Sequence, residues 1–334
     1  MSKLRFGVAF DFRNPPDSGL SLPELYASCL EQIRAVDSQG YDSVWVTEHH
    51  FVEDGYIPSF VAIAGAVAAA TQRVQISSNV LLMPFHHPVR LAEDLAVLDN
   101  LSNGRMMLGV GLGYAHHEFR AFGVNRQHRV SLTEEGIEIL QRAWREDRFS
   151  FHGKRFQFDD VALRPRPVQP GGPPLWVAAM SEAGARRAAR LGAHLLPQGR
   201  RSVVLDPWLE ELAARGGRPE DYRVGILRPF VVTDDRERVA RQVLAGERYR
   251  MKLYEKWLSE AGDQEVLHSA PSPDAIPQNL IIGTAEQVGD EIEAFTSRFG
   301  ITDLITWGAS PGVPPGIFRE SLERFAAEVM PRFR

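Results

Sequence analysis

Glu48-His49-His50-Phe51 puts a carboxylate and two imidazoles in consecutive positions, directly after the apolar run Ser43–Thr47. Histidine is the side chain best suited to moving a proton near neutral pH. Adjacent residues at a strand end point in different directions, so one of the two imidazoles is expected to face the centre. A hydrogen-bonded structural pair is the competing reading. His86-His87 and His116-His117 form two more pairs, each at the end of a further apolar run. Three such pairs raise the question of a metal-dependent hydrolase. No pair has His-x-His spacing, and no lone Asp and Lys accompany them at later strand ends, so no metal site is expected.

Two further segments bear on ligand binding. Gly109-Val110-Gly111-Leu112-Gly113 closes a predicted strand, and small residues there let a flat ring or a backbone approach closely. It lacks the Lys and Ser or Thr of a P-loop. Met180-Ser181-Glu182-Ala183-Gly184 joins a predicted strand to a helix. Ser181 would cap that helix, and the N–H groups behind it can hold a phosphate. Arg129 is a candidate counter-charge to the same phosphate, against the plainer reading of a solvated arginine.

The elements that must position these residues alternate short apolar runs with helical patterns. Strands are predicted at Arg5–Asp11, Ser43–Thr47, Val74–Leu82, Met106–Val110, Leu175–Ala178, His194–Leu196, Val224–Val232 and Asp303–Trp307. Most are continuously apolar, as parallel strands buried on both faces require. Helical stripes run through Leu22, Leu25, Cys29, Ile33 and Val36, through Val288, Ile292 and Phe295, and through Phe318, Leu322, Phe325 and Val329. Ser131-Leu132-Thr133-Glu134 and Thr284-Ala285-Glu286-Gln287 fit the capping box. Eight strands with about eight helices suit a closed barrel or a doubly wound sheet. No glycine-rich dinucleotide fingerprint follows the first strand, where Asp11-Phe12-Arg13-Asn14-Pro15-Pro16 stands, which favours an α/β (β/α)8 TIM barrel. Phe149–Phe158 reads as a small β-hairpin before the fifth strand. A segment of about 236–280 forms an insertion after the seventh strand, on the face where barrel active sites are built, and is a candidate lid.

The 334 residues are 44% hydrophobic and 24% charged, with a net charge of −5. They are expected to form one domain over 1–334, with no nucleic-acid partner. Cys29 is the single cysteine, which excludes an intrachain disulfide. Neither a signal peptide nor a membrane span is legible, so a cytoplasmic location is expected.

Together these segments resemble the bacterial luciferase-like family of flavin-dependent oxidoreductases. The resemblance is carried by Gly40 to Phe51, Met83 to Asp94, Leu98 to Arg105, Glu118 to Gly123, Gly283 to Glu286 and Val329 to Pro331. It implies a (β/α)8 barrel with an added segment after the seventh strand. It further implies that His49 is the catalytic histidine beside the flavin, with Glu48 and His50 in support. Asn79-Val80 falls where the family often has a non-prolyl cis peptide under the isoalloxazine, and Gly111 near the reactive flavin carbon. Arg129, Ala179, Met180 and Ser181 match positions around the flavin phosphate. Leu112 and Met180 depart from luciferase itself, so a light-emitting reaction is not implied.

The implied function is that of a monooxygenase. Reduced FMN, delivered by a separate flavin reductase, would react with O2 through a C4a-hydroperoxyflavin and oxidise a small organic substrate. Phe12, Phe51, Phe85, Tyr114 and Trp307 are candidate apolar walls, and a homodimer is the family expectation. A deazaflavin-dependent reductase or dehydrogenase on the same fold and a non-catalytic flavin-binding protein are the alternatives.

Overall fold

A computed structural model describes residues 3–262 and 279–334. Its first half contains β1 (Arg5–Phe10), α1 (Leu22–Ser38), β2 (Ser43–Val46), α2 (Phe60–Ala70), β3 (Gln75–Ser78), β4 (Leu81–Leu82), α3 (Pro88–Leu101), β5 (Leu108–Gly111), α4 (His116–Ala121) and α5 (Arg129–Arg145). The hairpin β6 (Phe149–His152) and β7 (Gln157–Val161) follows, then β8 (Leu175–Ala179), α6 (Glu182–Arg190), β9 (His194–Pro197), α7 (Arg201–Ala214), β10 (Gly225–Leu227) and β11 (Phe230–Val232). The described chain closes with α8 (Arg236–Ala261), β12 (Ile281–Gly283), α9 (Ala285–Phe299), β13 (Asp303–Trp307) and α10 (Pro315–Arg324).

Parallel neighbours run β10-β13-β1-β2-β3 in one sheet and β4-β5-β8-β9 in another. β4 continues the line of β3 past Asn79-Val80, and single parallel bridges, Ile76 to Met106 and Leu195 to Val224, join the sheets at both seams. The eight strand positions therefore run round a ring, as the barrel expectation requires. Inside lie Ala9, Trp45, Met107, Trp176, Leu196 and Ile305, all buried. Trp45 and Trp176 meet edge to face at 5.4 Å. Gly7 makes room for them: a Cβ there would lie 2.7 Å from Trp45 Nε1. A larger apolar shell between strands and helices includes the expected Val288, Ile292 and Phe295 of α9.

Several expectations are refined. The third predicted strand divides into β3 and β4, and the seventh into β10 and β11. In the latter, Pro229 lacks an N–H and Arg228 turns its buried guanidinium to Asn279 and Glu291. β11 pairs in parallel with β12, a strand absent from the prediction. Its remaining N–H groups find side-chain hydroxyls, Phe230 on Thr306 Oγ1 at 3.0 Å and Val232 on Ser321 Oγ at 2.9 Å. The Thr284 capping box forms as expected. Ser131 does not cap its helix, because α5 starts at Arg129 and Ser131 Oγ instead donates to the His128 carbonyl. Leu22 opens α1 but is 46% exposed, off the buried stripe.

α8 is the crossover between β11 and β12 and supplies the helical half of the expected insertion. Residues 263–278, which complete it, lie outside the described residues. No helix among the described residues is long and apolar enough to cross a membrane.

Candidate active site

The carboxyl end of β2 delivers Glu48, His49 and His50, all buried. His49 Nδ1 lies 2.9 Å from Glu118 Oε1 of α4, and the same oxygen accepts the backbone N–H of His50 at 2.8 Å. An oxygen that already accepts one N–H makes Nδ1 the donor, which leaves Nε2 as the acceptor nitrogen of the imidazole. The Tyr114 hydroxyl stands 3.3 Å from Nε2 and donates to it. Burial raises the Tyr114 pKa well above its ordinary value, which keeps the phenol protonated for that role.

The other two members of the cluster serve a second carboxylate. Glu48 Oε1 accepts from His50 Nε2 and from His86 Nε2, both at 2.9 Å. Burial opposes ionisation of Glu48, but the hydrogen bonds and charges of His50 and His86 prevail and hold its pKa below the ordinary value. His117 Nε2 donates to the His50 carbonyl at 3.1 Å. His49, His50, His86 and His117 are thus drawn into carboxylate and backbone hydrogen bonds. Among the described residues no group of three or more His, Cys, Asp or Glu side chains is arranged to hold a metal ion.

α8 closes over His49 from the opposite side of the sequence. Trp257 lies 4.6 Å from the imidazole centroid and Tyr254 5.9 Å, while Tyr56 meets it edge-on at 5.0 Å. The Tyr56 and Tyr254 hydroxyls are 2.7 Å apart. One turn earlier, the fully buried Arg250 ties α8 to the barrel. Its Nε donates to Asp11 Oδ2 at 2.9 Å, an Nη pairs with Glu247, and the other Nη donates to the Ala309 carbonyl at 3.0 Å. The guanidinium also lies 3.8 Å above the Trp307 ring. Arg250, Tyr254 and Trp257 share one helix face by their spacing, so anchoring the first places the other two.

The remaining predicted residues fall around the barrel mouth. Asn79-Val80 is a cis peptide bond, and both residues are partly exposed. Gly111 packs beneath Val80, where a Cβ would meet Val80 Cγ2 at 2.7 Å. Ala178 is partly exposed at the mouth, and Ala179 is buried beside it. Met180 and Ser181 follow, and Ser181 Oγ caps α6 by accepting the Gly184 N–H at 3.3 Å. Glu134 of α5 pairs with Arg187 of α6 at 2.8 Å, so the two helices lie side by side and Arg129 sits in the first turn of its helix.

Of the candidate walls, only Tyr114 touches His49. Phe85 clusters with Phe119 and Phe122 next to His50, and Trp307 lies beneath Arg250. Phe12 is buried against Phe10 and Tyr26, and Phe51 is 62% exposed. Glu118, Tyr56, Arg250, Tyr254 and Trp257 carry the site without having been assigned a role from sequence. The i, i+4, i+7 spacing of the last three was the available signal.

A flat isoalloxazine needs an apolar floor without side chains in the way, and a phosphate needs free N–H groups with a cation nearby. Gly109 and Gly111 under Val80, the capped N-terminus of α6 and Arg129 are residues of those kinds. The chain therefore fits a phosphorylated flavin.

A parallel barrel with a carboxylate-anchored imidazole at the carboxyl rim defines an α/β-barrel enzyme. A family profile described as luciferase-like monooxygenase matches residues 4–303. The chain belongs to that family of oxidoreductases. The oxygenase component of the flavin-dependent trigonelline monooxygenase of Acinetobacter baylyi is 27% identical over 336 residues, covering 93% of this chain and 90% of that protein. The solved monooxygenase RslO1 of Streptomyces bottropensis superposes with a TM-score of 0.85 at 24% identity, over 99% of this chain and 100% of that one. An F420-dependent secondary alcohol dehydrogenase superposes at 0.78 with 24% identity, over 99% of each chain. These two structural likenesses show the fold.

Proposed function

We propose that this chain is the oxygenase component of a two-component monooxygenase, taking reduced FMN from a separate reductase and oxidising a small organic substrate with O2. The observation that carries the reading is His49, whose tautomer is set by Glu118 and whose Nε2 is met by Tyr114 under the aromatic cover of α8. Asn79, Val80 and Gly111 would lie against the ring system. Ala179, Met180, Ser181 and Arg129 would hold the phosphate. Bound reduced flavin would supply the electrons and the oxygen-reactive carbon.

The chain's own part is proton control and exclusion of water. Nε2 of His49 takes or returns a proton, and the buried Glu118 carboxylate stabilises the imidazolium while it is charged. Tyr114 returns the imidazole to its resting hydrogen bond. Trp257, Tyr254 and Tyr56 keep water from the imidazole, which strengthens each of these interactions.

Anaerobic titration with reduced FMN and, separately, with reduced F420, followed by admission of oxygen, tests the reading. Saturable binding of reduced FMN, with oxygen uptake altered by the protein, is the expected result. Binding of F420 alone, with no effect on oxygen uptake, would point to hydride transfer in the same site and overturn it. His49→Ala is expected to bind reduced FMN normally and to lose most turnover.

A further inference from the structure

Arg13 follows β1 and is buried, yet one of its terminal nitrogens, Nη1, has no hydrogen-bond partner among the described residues. Its Nε donates to Asp54 Oδ2 at 2.7 Å, and the guanidinium carbon lies 5.4 Å from the Tyr56 ring and 4.9 Å from the Tyr249 ring. Asp54 also accepts from the Tyr249 hydroxyl at 3.1 Å and from the Tyr56 N–H at 3.2 Å. A buried N–H of a charged group left without an acceptor is costly, so such a donor points to a missing partner. Tyr56 separates this donor from the His49 ring, which it meets edge-on.

The surrounding charges decide what that partner is. Arg13 is neutralised by Asp54, and Arg250 faces two carboxylates, Asp11 and Glu247. The two guanidiniums and three carboxylates leave one negative charge in excess. A carboxylate ligand would add a second in a buried place, at a large desolvation cost. An uncharged oxygen acceptor adds none. The rings of Tyr56, Tyr254 and Trp257 suit a planar partner.

We infer that Arg13 is a specificity-determining residue, whose free Nη1–H receives the neutral carbonyl or ether oxygen of a planar-ring substrate reacting one ring away, beside His49. This rests on the monooxygenase reading for what happens to the substrate, but not for its binding.

Ligand-observed NMR titrations with acetophenone, ethylbenzene and benzoate, run with and without added FMN, test it without turnover. Acetophenone is expected to bind about tenfold more tightly than ethylbenzene, the worth of a hydrogen bond from a charged donor. Benzoate is expected to bind most weakly of the three. Arg13→Lys keeps the charge beside Asp54 but withdraws the nitrogen at the Nη1 position. It is expected to bring acetophenone down to ethylbenzene's affinity while leaving ethylbenzene unchanged. The double variant Arg13→Gln with Asp54→Asn, neutral in sum, guards against a folding defect and should show the same loss. Tightest binding of benzoate, equal binding of acetophenone and ethylbenzene by the native chain under both conditions, or undiminished selectivity in the variants overturns the inference. Loss of FMN binding with this selectivity intact would instead count against the monooxygenase reading alone.

Discussion

His49 Nδ1 and Glu118 Oε1 lie 2.9 Å apart across 69 residues of chain, with the His50 backbone N–H on the same oxygen at 2.8 Å. One carboxylate therefore orients the imidazole and pins the backbone that carries it. Glu118→Gln keeps an oxygen able to accept both N–H groups, removes the charge and puts an NH2 in place of Oε2. Turnover is expected to fall about a hundredfold, within the usual worth of general acid–base catalysis, with the melting temperature little changed. Turnover equal to that of the native chain would take Glu118 out of the mechanism.

Much of the barrel is legible from the sequence because its strands are buried on both faces and read as unbroken apolar runs. Where a run is broken by a backbone event, legibility fails. Val224–Val232 looks continuous, but Pro229 and Arg228, whose side chain reaches Glu291 of α9, divide it, and Phe230–Val232 pairs with Ile281–Gly283. Ser131 carries the letters of a capping box. The preceding turn, where Asn125 Oδ1 accepts the Gln127 N–H, leads the chain into the helix earlier. Local patterns cannot weigh such neighbours against each other.

The site divides in the same way. Glu48-His49-His50 is adjacent in sequence and stood out. The groups that give His49 its chemistry arrive from α4 and α8, and no local spacing predicts which carboxylate or which indole will reach it. Aromatic side chains are hard to assign for the related reason that they are equally at home in a core. Phe12 is buried in one, while Tyr254 and Trp257 pack on His49.

Arg250 holds that cover in place, so its removal should be felt in both stability and activity. Arg250→Met leaves the buried Asp11 and the partly buried Glu247 without their cation. Loss of one partner of a buried ion pair costs about 3–5 kcal/mol. Urea denaturation monitored by circular dichroism should show a loss of that order. Fluorescence should report greater solvent exposure of Trp257 even where the variant remains folded. A change under about 1 kcal/mol would mean that other α8 contacts hold the helix down.

Gly111 and Val80 form a second tight pair, with a Cβ at Gly111 only 2.7 Å from Val80 Cγ2. Gly111→Ala is expected to destabilise the fold by about 1–3 kcal/mol through overpacking. Val80→Ala opens the space that the new methyl needs, so the double variant should recover part of the loss. A thermal-melt double-mutant cycle reads the coupling directly. Additive effects would mean that the strain of Gly111→Ala is relieved elsewhere.

At the opposite, amino-terminal end of the ring, His194 Nδ1 accepts the Arg223 N–H at 3.1 Å, and its imidazole packs 4.7 Å from Trp176. Burial, followed by the nearby charges of Arg223 and Arg5, pushes its pKa down to about 4 from an ordinary value of 6.5. Between those values the unfolded chain binds a proton that the folded chain refuses. The folded state therefore loses stability as the pH falls from about 6.5 to about 4, by up to about 3 kcal/mol from this group. Below about 4 both states are protonated and the loss from His194 stops growing. His194→Asn keeps an acceptor near the Nδ1 position and cannot titrate. Its unfolding free energy, followed from pH 7 to pH 4, should decline less steeply than that of the native chain by this amount. Parallel pH profiles for the two proteins would show that His194 is not the group that makes this fold acid-sensitive.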